Sequence, residues 1–579
     1  FLGADEIVAG EYCRQKIGPG GLFIGDGLQM AQAPYGVMWH KNEAYGAIRY
    51  INIFFEKIGN VYNMEDSEKK LWTAELKALK AHFYFELMRR YGPIILVPEN
   101  IDPNASLDEM KQPRRPIDEV VNAIVELCDE AIEDLPYLKE KPSTRITYHS
   151  KESAATLKAM TLLYAASPLF NGNKMFANFL NKNGERLFPD YDKEKWRKAA
   201  EAADEAIKIC EAAGKTLVTG NTDRPTKLLN IMKDIEDSAL APDYKNSEAI
   251  FYVRNTSGGP CGYILPFFAG EGEGADCYDP HSIGCLGASM KMVEMFYTEH
   301  GVPISEDKQW VVAKYSMGRE SDEKYTNVLN LNTEILGLHR RREPRFYANI
   351  GADRTLWYRM QKSGSEQKYV AQEICAYQGE LYGTKITRID NNTPQNLSGY
   401  WIKKYLRSNI TFYYYTSRDN TEKGGIIFRL PDLYLASSEA WNEYLDAPDN
   451  RVYDPLNKIR ERAGILNVQE AWKNYARNPD KVNTKLGMRE IIQQEWNIEF
   501  AFEGRRFWNL RRWMTAPEEL NTPQYGWNVL GSTAETFYHN YDGPIVVWSK
   551  RKFNVPRDYF FPIQSEEVLM SECKQNLGW

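Results

Sequence analysis

Four carboxylates, Glu271, Glu273, Asp276 and Asp279, fall close together in a glycine-rich stretch, and glycoside hydrolysis asks only for two carboxyl groups at a fixed separation. A solvated acidic surface explains such a cluster more simply. Other catalytic signatures are missing: there is no GxSxG, HExxH, P-loop or dinucleotide-binding fingerprint. The seven His show no paired spacing, and the eight Cys form neither a CxxC nor a Cys/His ligand pattern, so the sequence predicts no metal site, no cofactor and no enzyme. Cys261, Cys277 and Cys285 crowd one segment where a disulfide is open, although spacing alone establishes none.

Aromatic residues are the more telling chemistry. The chain holds 36 Tyr, 14 Trp and 24 Phe, and Tyr and Trp offer an apolar face with a polar edge. Sugar rings stack their C–H faces on such planes, while their hydroxyls need carboxylates, amides or guanidiniums at the rim. The segment 256–286 combines both: its glycines make a helix costly, and Tyr278 and Asp276 lie in it. Arg354, Trp357 and Tyr358 form a second aromatic and basic cluster, and Tyr382 sits between Gly379 and Gly383. Trp72 lies early in a helix, next to a polar loop, where core packing and ligand contact are both open. Trp39 reads as hydrophobic framework. The candidate ligand-binding residues are therefore Trp72, Asp276, Tyr278, Arg354, Trp357 and Tyr382.

Those residues need a frame, and the periodicity supplies it. Apolar residues recur at three- and four-residue steps over 35–55, 71–90, 116–135, 150–166 and 193–213, which predicts helices joined by short loops. Helical pattern resumes over 431–445, 455–463 and 485–502. Between them Gly, Pro, Asn and Thr punctuate short β-rich pieces such as 250–253 and 411–415. The fold class expected is mainly α: tetratricopeptide-like helix pairs carrying a large irregular, loop-rich insertion. The division is 1–215 for the first helical part, 216–429 for the ligand-binding region, and 430–579 for the helices that complete the scaffold, with an irregular tail.

Composition narrows the partners. A formal charge of −7 and a pI near 5.8 give no field to gather nucleic acid. No apolar run approaches the 18 to 20 residues of a spanning helix, and Phe1 opens neither a basic nor an apolar leader. In 499–513 four arginines interleave with Phe500, Phe502, Phe507, Trp508 and Leu510, which predicts guanidiniums bonded to carboxylates and carbonyls inside the scaffold.

Several stretches match one family in order along the whole chain. ELKALKAHFYFELMRRYGP at 75–93, MVEMF at 292–296 followed by GVPI at 301–304, EPRFY at 343–347, RLPDLYLASSEA at 429–440, LNKIRERAG at 456–464, EFAFEGRRFWNLRRW at 499–513, FPIQSEE at 561–567 and KQNLGW at 574–579 resemble the SusD/RagB family. The resemblance implies a non-enzymatic, surface-exposed lipoprotein of the Bacteroidetes outer membrane. Such a protein captures a glycan and hands it to a SusC-like TonB-dependent transporter; a peptide-binding member of the RagB branch is the alternative, and a glycoside hydrolase the poorer one. The family carries its lipid on an N-terminal Cys. Phe1 is not that residue, so the implied membrane anchor is expected upstream of this chain.

Overall fold

The computed structural model describes residues 2–18, 20–240, 246–254, 264, 284–310, 312–363, 366–384, 387–389, 395–406 and 424–579. Its frame is mainly α. Five long helices occupy the first part: α1 (Ala44–Lys57), α2 (Asp66–Tyr91), α3 (Ile117–Asp134), α4 (Lys151–Ala166) and α5 (Glu194–Ala212). α2 shows why these segments are helical. Its 26 residues contain neither Gly nor Pro, Asp66 and Glu68 sit in the first turn, Arg89 and Arg90 complement the dipole in the last, and Gly92 at φ 72° ends it ahead of Pro93.

Each helix packs on the next, α2 on α3, α3 on α4 and α4 on α5, as stacked antiparallel pairs do. The next layer comes from the other end of the chain: α5 packs on α7 (Leu430–Tyr444), which in turn meets α8 (Asn450–Arg462) and α9 (Lys485–Glu499). One hydrophobic core accordingly runs through Leu157, Ala200, Leu433, Leu456 and Trp496. At the seam, Asp204 accepts hydrogen bonds from Ser437 Oγ (2.6 Å) and Trp441 Nε1 (2.9 Å). The helices at 71–90, 116–135, 150–166, 193–213, 431–445 and 485–502 are all present. Three begin elsewhere than periodicity predicts: α1 starts at Ala44, after a turn-rich stretch, α2 starts at Asp66, one polar turn before its first apolar residue, and α8 starts at Asn450 because Asp449 caps it and Pro455 is tolerated inside.

The middle of the chain builds a second core on this frame, in which Leu286 and Ile350 from short strands pack with aromatic residues such as Phe296, Phe346, Trp357 and Trp401. Strands Ile7–Ala9, Leu286–Ala288, Trp401–Ile402 and Ile350–Gly351 form a small antiparallel sheet in that spatial order. A helix not among those expected, α6 (Lys227–Ala239), is capped by Thr226 and packs on the short helix Pro344–Asn349. Cys285 is bonded to Cys13 across 5.8 Å between Cα atoms, a partner from outside the segment in which the sequence left a disulfide open: the strand pairing of Ile7–Ala9 with Leu286–Ala288 brings the distant cysteine alongside. Cys261, Cys277 and the 411–415 stretch lie outside the described residues.

Buried charge locks the two cores together. Glu499 at the end of α9 receives Arg429 (2.6 Å), Arg345 (3.4 Å) and Arg462, while Arg345 also reaches Glu343 (2.7 Å) and Glu495 (2.6 Å). Burial alone would raise the Glu499 carboxyl; Arg462, Arg429 and Arg345 hold it well below the usual range instead. The arginines of 505–512 behave likewise: Arg505 pairs with Asp432, Arg506 with Asp5, Arg512 with Glu439, and Arg511 bonds the carbonyls of Phe507 and Asp558.

Candidate functional site

Among the predicted site residues that the structure describes, Trp72 is the exposed one, at 37%, on the second turn of α2. The Arg145 guanidinium lies 5.0 Å from its ring centroid and 4.7 Å from that of Tyr148, itself half exposed. Arg145 is held from behind. Glu75, one helical turn after Trp72 and therefore on the same face of α2, is buried and pairs with Arg145 and with Lys141 Nζ (2.6 Å). Lys141 also donates to the His149 carbonyl at 2.7 Å, so the segment 141–149 is pinned to α2 through one carboxylate. The result is two aromatic faces flanking a fixed cation on the surface of the scaffold.

A ribbon of strands Ala249–Arg254 and Gly424–Arg429 runs beside this platform. Its residues Ala249, Tyr252 and Ile426 pack on Leu138 and Ile146, the latter adjacent in sequence to Arg145. The strand Ala249–Arg254 leads into the glycine-rich segment whose Asp276 and Tyr278 are predicted site residues; both lie outside the described residues.

Trp357 and Tyr382 do come together, but inside the second core, and Arg354 lies at its half-buried edge. Trp357 is 5% exposed and Tyr382 7%, their rings stacked at 6.1 Å and 18°. Tyr382 donates its hydroxyl to Gln372 Oε1 (2.9 Å) and meets Trp401 edge-on at 5.6 Å. Arg354, at φ 63°, gives Nη2 to Glu380 (2.9 Å) and lies 4.8 Å over Tyr377. These residues and Trp72 thus do not share one exposed face. The cause is the period of two along the strand Leu356–Ser363: Trp357 points inward, and Tyr358 outward.

Tyr358 stacks on Tyr369 of the paired strand Glu366–Glu373 at 4.7 Å and 16°, and Arg224 stands 3.8 Å over the Tyr369 ring. A shallow pocket of about 40 Å³ opens beside them, bordered by Lys233, Glu236 and Lys403. Burial lowers Lys403 to about 7, only partly offset by Glu236, while its ammonium donates to the Tyr347 and Leu356 carbonyls at 3.0 Å each. Tyr148, Arg145, Tyr369 and Arg224 were missed in the sequence. Alternation along 356–373 could have found Tyr369; no local signal marks the others. Among the described residues no group of three or more His, Cys, Asp or Glu could hold a metal ion, and no helix is long and apolar enough to cross a membrane.

Residues 246–579 match the SusD family, a stretch that is more than half of the chain. The SusD-like protein P25 of Formosa agariphila is 38% identical over 96 residues, an alignment that covers 17% of this chain and 16% of that protein. The solved structure titled BT4246 superposes with a TM-score of 0.81 at 22% identity, covering all of this chain and 94% of its own. A SusD-like carbohydrate binding protein (BF0978) from Bacteroides fragilis superposes with a TM-score of 0.65 at 18% identity, covering 98% of this chain and 90% of its own.

Proposed function

The chain belongs to the SusD family, and on that premise we propose that it captures an oligosaccharide or polysaccharide at the cell surface and delivers it, uncleaved, to a SusC-like TonB-dependent transporter. The observation that carries the reading is the Trp72–Arg145–Tyr148 platform: exposed ring faces for the C–H side of a sugar, and a guanidinium fixed by a buried carboxylate for its hydroxyls. The carbohydrate binding named for the Bacteroides fragilis structure supports the same ligand class. Asp276 and Tyr278, on the segment that the neighbouring ribbon feeds, are proposed to complete the site. Arg354, Trp357 and Tyr382 are assigned to its framework, and the Tyr358–Tyr369 pair to a second aromatic surface. The membrane location is a lipid anchor on the outer face of the outer membrane.

A glycan array followed by titration calorimetry on its hits tests capture, and chromatography of reducing ends after long incubation tests that nothing is cleaved. New reducing ends that survive repurification would replace this reading by hydrolysis. Co-purification from membranes is expected to recover a TonB-dependent barrel through an interface on the order of 2,000 Å² or more.

A further inference from the structure

On the far side of the ribbon from Leu138 and Ile146, the described residues of α2, α4, α9 and α10 (Arg505–Arg512) enclose a cavity of about 470 Å³ that opens to solvent. It has the size of a small-molecule site, which runs from about 300 to 1,000 Å³. Phe83, Phe85, Tyr164, Phe251, Phe428 and Trp508 supply ring surface, and aliphatic side chains such as Leu79 and Ile427 fill between them. Among the described lining residues, charged groups stand at two places. Glu86 takes hydrogen bonds from Arg89 Nη2 (2.7 Å) and from Arg90, one carboxylate to two guanidiniums. Arg505 pairs with Asp432 through both Nε (2.8 Å) and Nη2 (2.9 Å) and gives Nη2 also to the Ile427 carbonyl (2.6 Å), and its Nη1 has no hydrogen-bond partner among the described residues. The charged residues that line the cavity, Glu86 with Arg89 and Asp432 with Arg505, balance, and the Arg505 Nη1 edge is the donor left open.

Three occupants fit poorly. Left dry, the ring walls would forfeit dispersion contacts over a large surface. Water needs two to four polar partners, which such walls do not offer. A sugar would bring several hydroxyls to a surface with few groups to pair them. A molecule with an apolar body and one anionic end satisfies both the rings and the open Arg505 Nη1 edge, a charge-assisted donor. We propose that this cavity binds an organic anion, an aryl- or alkyl-carboxylate, at a site separate from the glycan platform.

Titration calorimetry of the full chain with 4-phenylbutyrate is expected to show one site, and 4-phenylbutanol, which carries an uncharged hydroxymethyl in place of the carboxylate, to bind about tenfold more weakly. Leu79→Trp, which fills the cavity, and Val253→Trp, at its exposed mouth, are each expected to abolish binding in protein whose melting temperature is unchanged. Arg505→Gln is expected to weaken the carboxylate and spare the alcohol. Added salt is expected to do the same without any substitution. No binding at millimolar ligand, binding that survives both Trp variants, or an alcohol as tight as the carboxylate would each overturn the proposal. None of these results depends on whether a glycan binds at Trp72.

Discussion

Two clusters in this molecule are built from the same parts, tryptophan, tyrosine and arginine, and come to opposite ends. At Trp72 and Tyr148 the rings flank Arg145 on the surface of a helical pair. At Trp357 and Tyr382 the rings stack on each other, Tyr382 meets Trp401 edge-on, and Arg354 is consumed by Glu380. Residue type therefore does not separate a binding platform from a framework. Where the aromatic points does, and that is set by the element carrying it: the outer face of α2 in one case, the inner face of a strand in the other.

The sharpest break of this comparison is a stability measurement. Trp357→Ala opens a hole in a close-packed core and is expected to cost roughly 3 to 5 kcal/mol of unfolding free energy, read by denaturant titration. The affinity of the fraction that remains folded should be unchanged. A Trp357→Ala protein with wild-type stability and lost glycan binding would reverse the assignments of the two clusters.

Acid and base divide the clusters next. Asp353 beneath the framework cluster accepts hydrogen bonds from the Ala376 amide (2.9 Å) and the Tyr538 hydroxyl (3.0 Å), and burial, opposed by Arg354, raises its carboxyl to about 6. An unfolded Asp titrates near about 3.9, so the folded chain holds this proton more tightly. Stability from this group is then present below about pH 4, falls as pH rises through about 6, and is flat above. The drop is on the order of 1 to 3 kcal/mol, and Asp353→Asn should flatten that part of the pH–stability curve. A wild-type slope retained in the variant would assign it to another carboxyl.

Much of the frame was legible and much of the site was not, for physical reasons. Helices such as α2 and α4 declare themselves through local periodicity and through stops like Gly92–Pro93 and Ser167–Pro168. α6 carries the same kind of signal, Thr226 as its cap and Leu228, Leu229, Met232 and Ile235 at helical spacing, but is a short helix inside the region that turn residues mark as irregular. The pairing of Cys13 with Cys285 is a product of sheet register between segments 272 residues apart, which no spacing rule reaches. Arg145 owes its place over Trp72 to Glu75, a contact across 70 residues.

At the platform itself the effects are smaller and fall on affinity. Trp72→Ala removes one exposed ring and is expected to weaken glycan binding by about 1 to 3 kcal/mol, on the scale of base stacking on aromatic residues. Its melting temperature should hardly move, since surface substitutions away from packed features usually stay within about 0.5 kcal/mol. Melting temperature and calorimetric affinity measured on one preparation decide between the two fates. Lost stability with intact affinity would place Trp72 with Trp357 in the framework.

Arg145→Lys gives the smallest effect and the finest distinction. Lysine keeps the charge beside Glu75 but cannot lay a planar guanidinium between two rings, so the substitution isolates stacking from electrostatics. An exposed cation–π contact is worth about 0.5 to 1 kcal/mol, and glycan affinity is expected to fall by no more than that, with no change in unfolding. The sign matters more than the size. If sugars stack on the outer ring faces while Arg145 holds the rings apart and bonds hydroxyls at their edge, Lys weakens binding. If instead Arg145 occupies the very face a sugar needs, Lys uncovers it and binding tightens, which would make Arg145 a cover rather than part of the site. Calorimetry on Arg145→Lys and Trp72→Ala with the same oligosaccharide separates the two, because only the first arrangement lets both substitutions weaken binding.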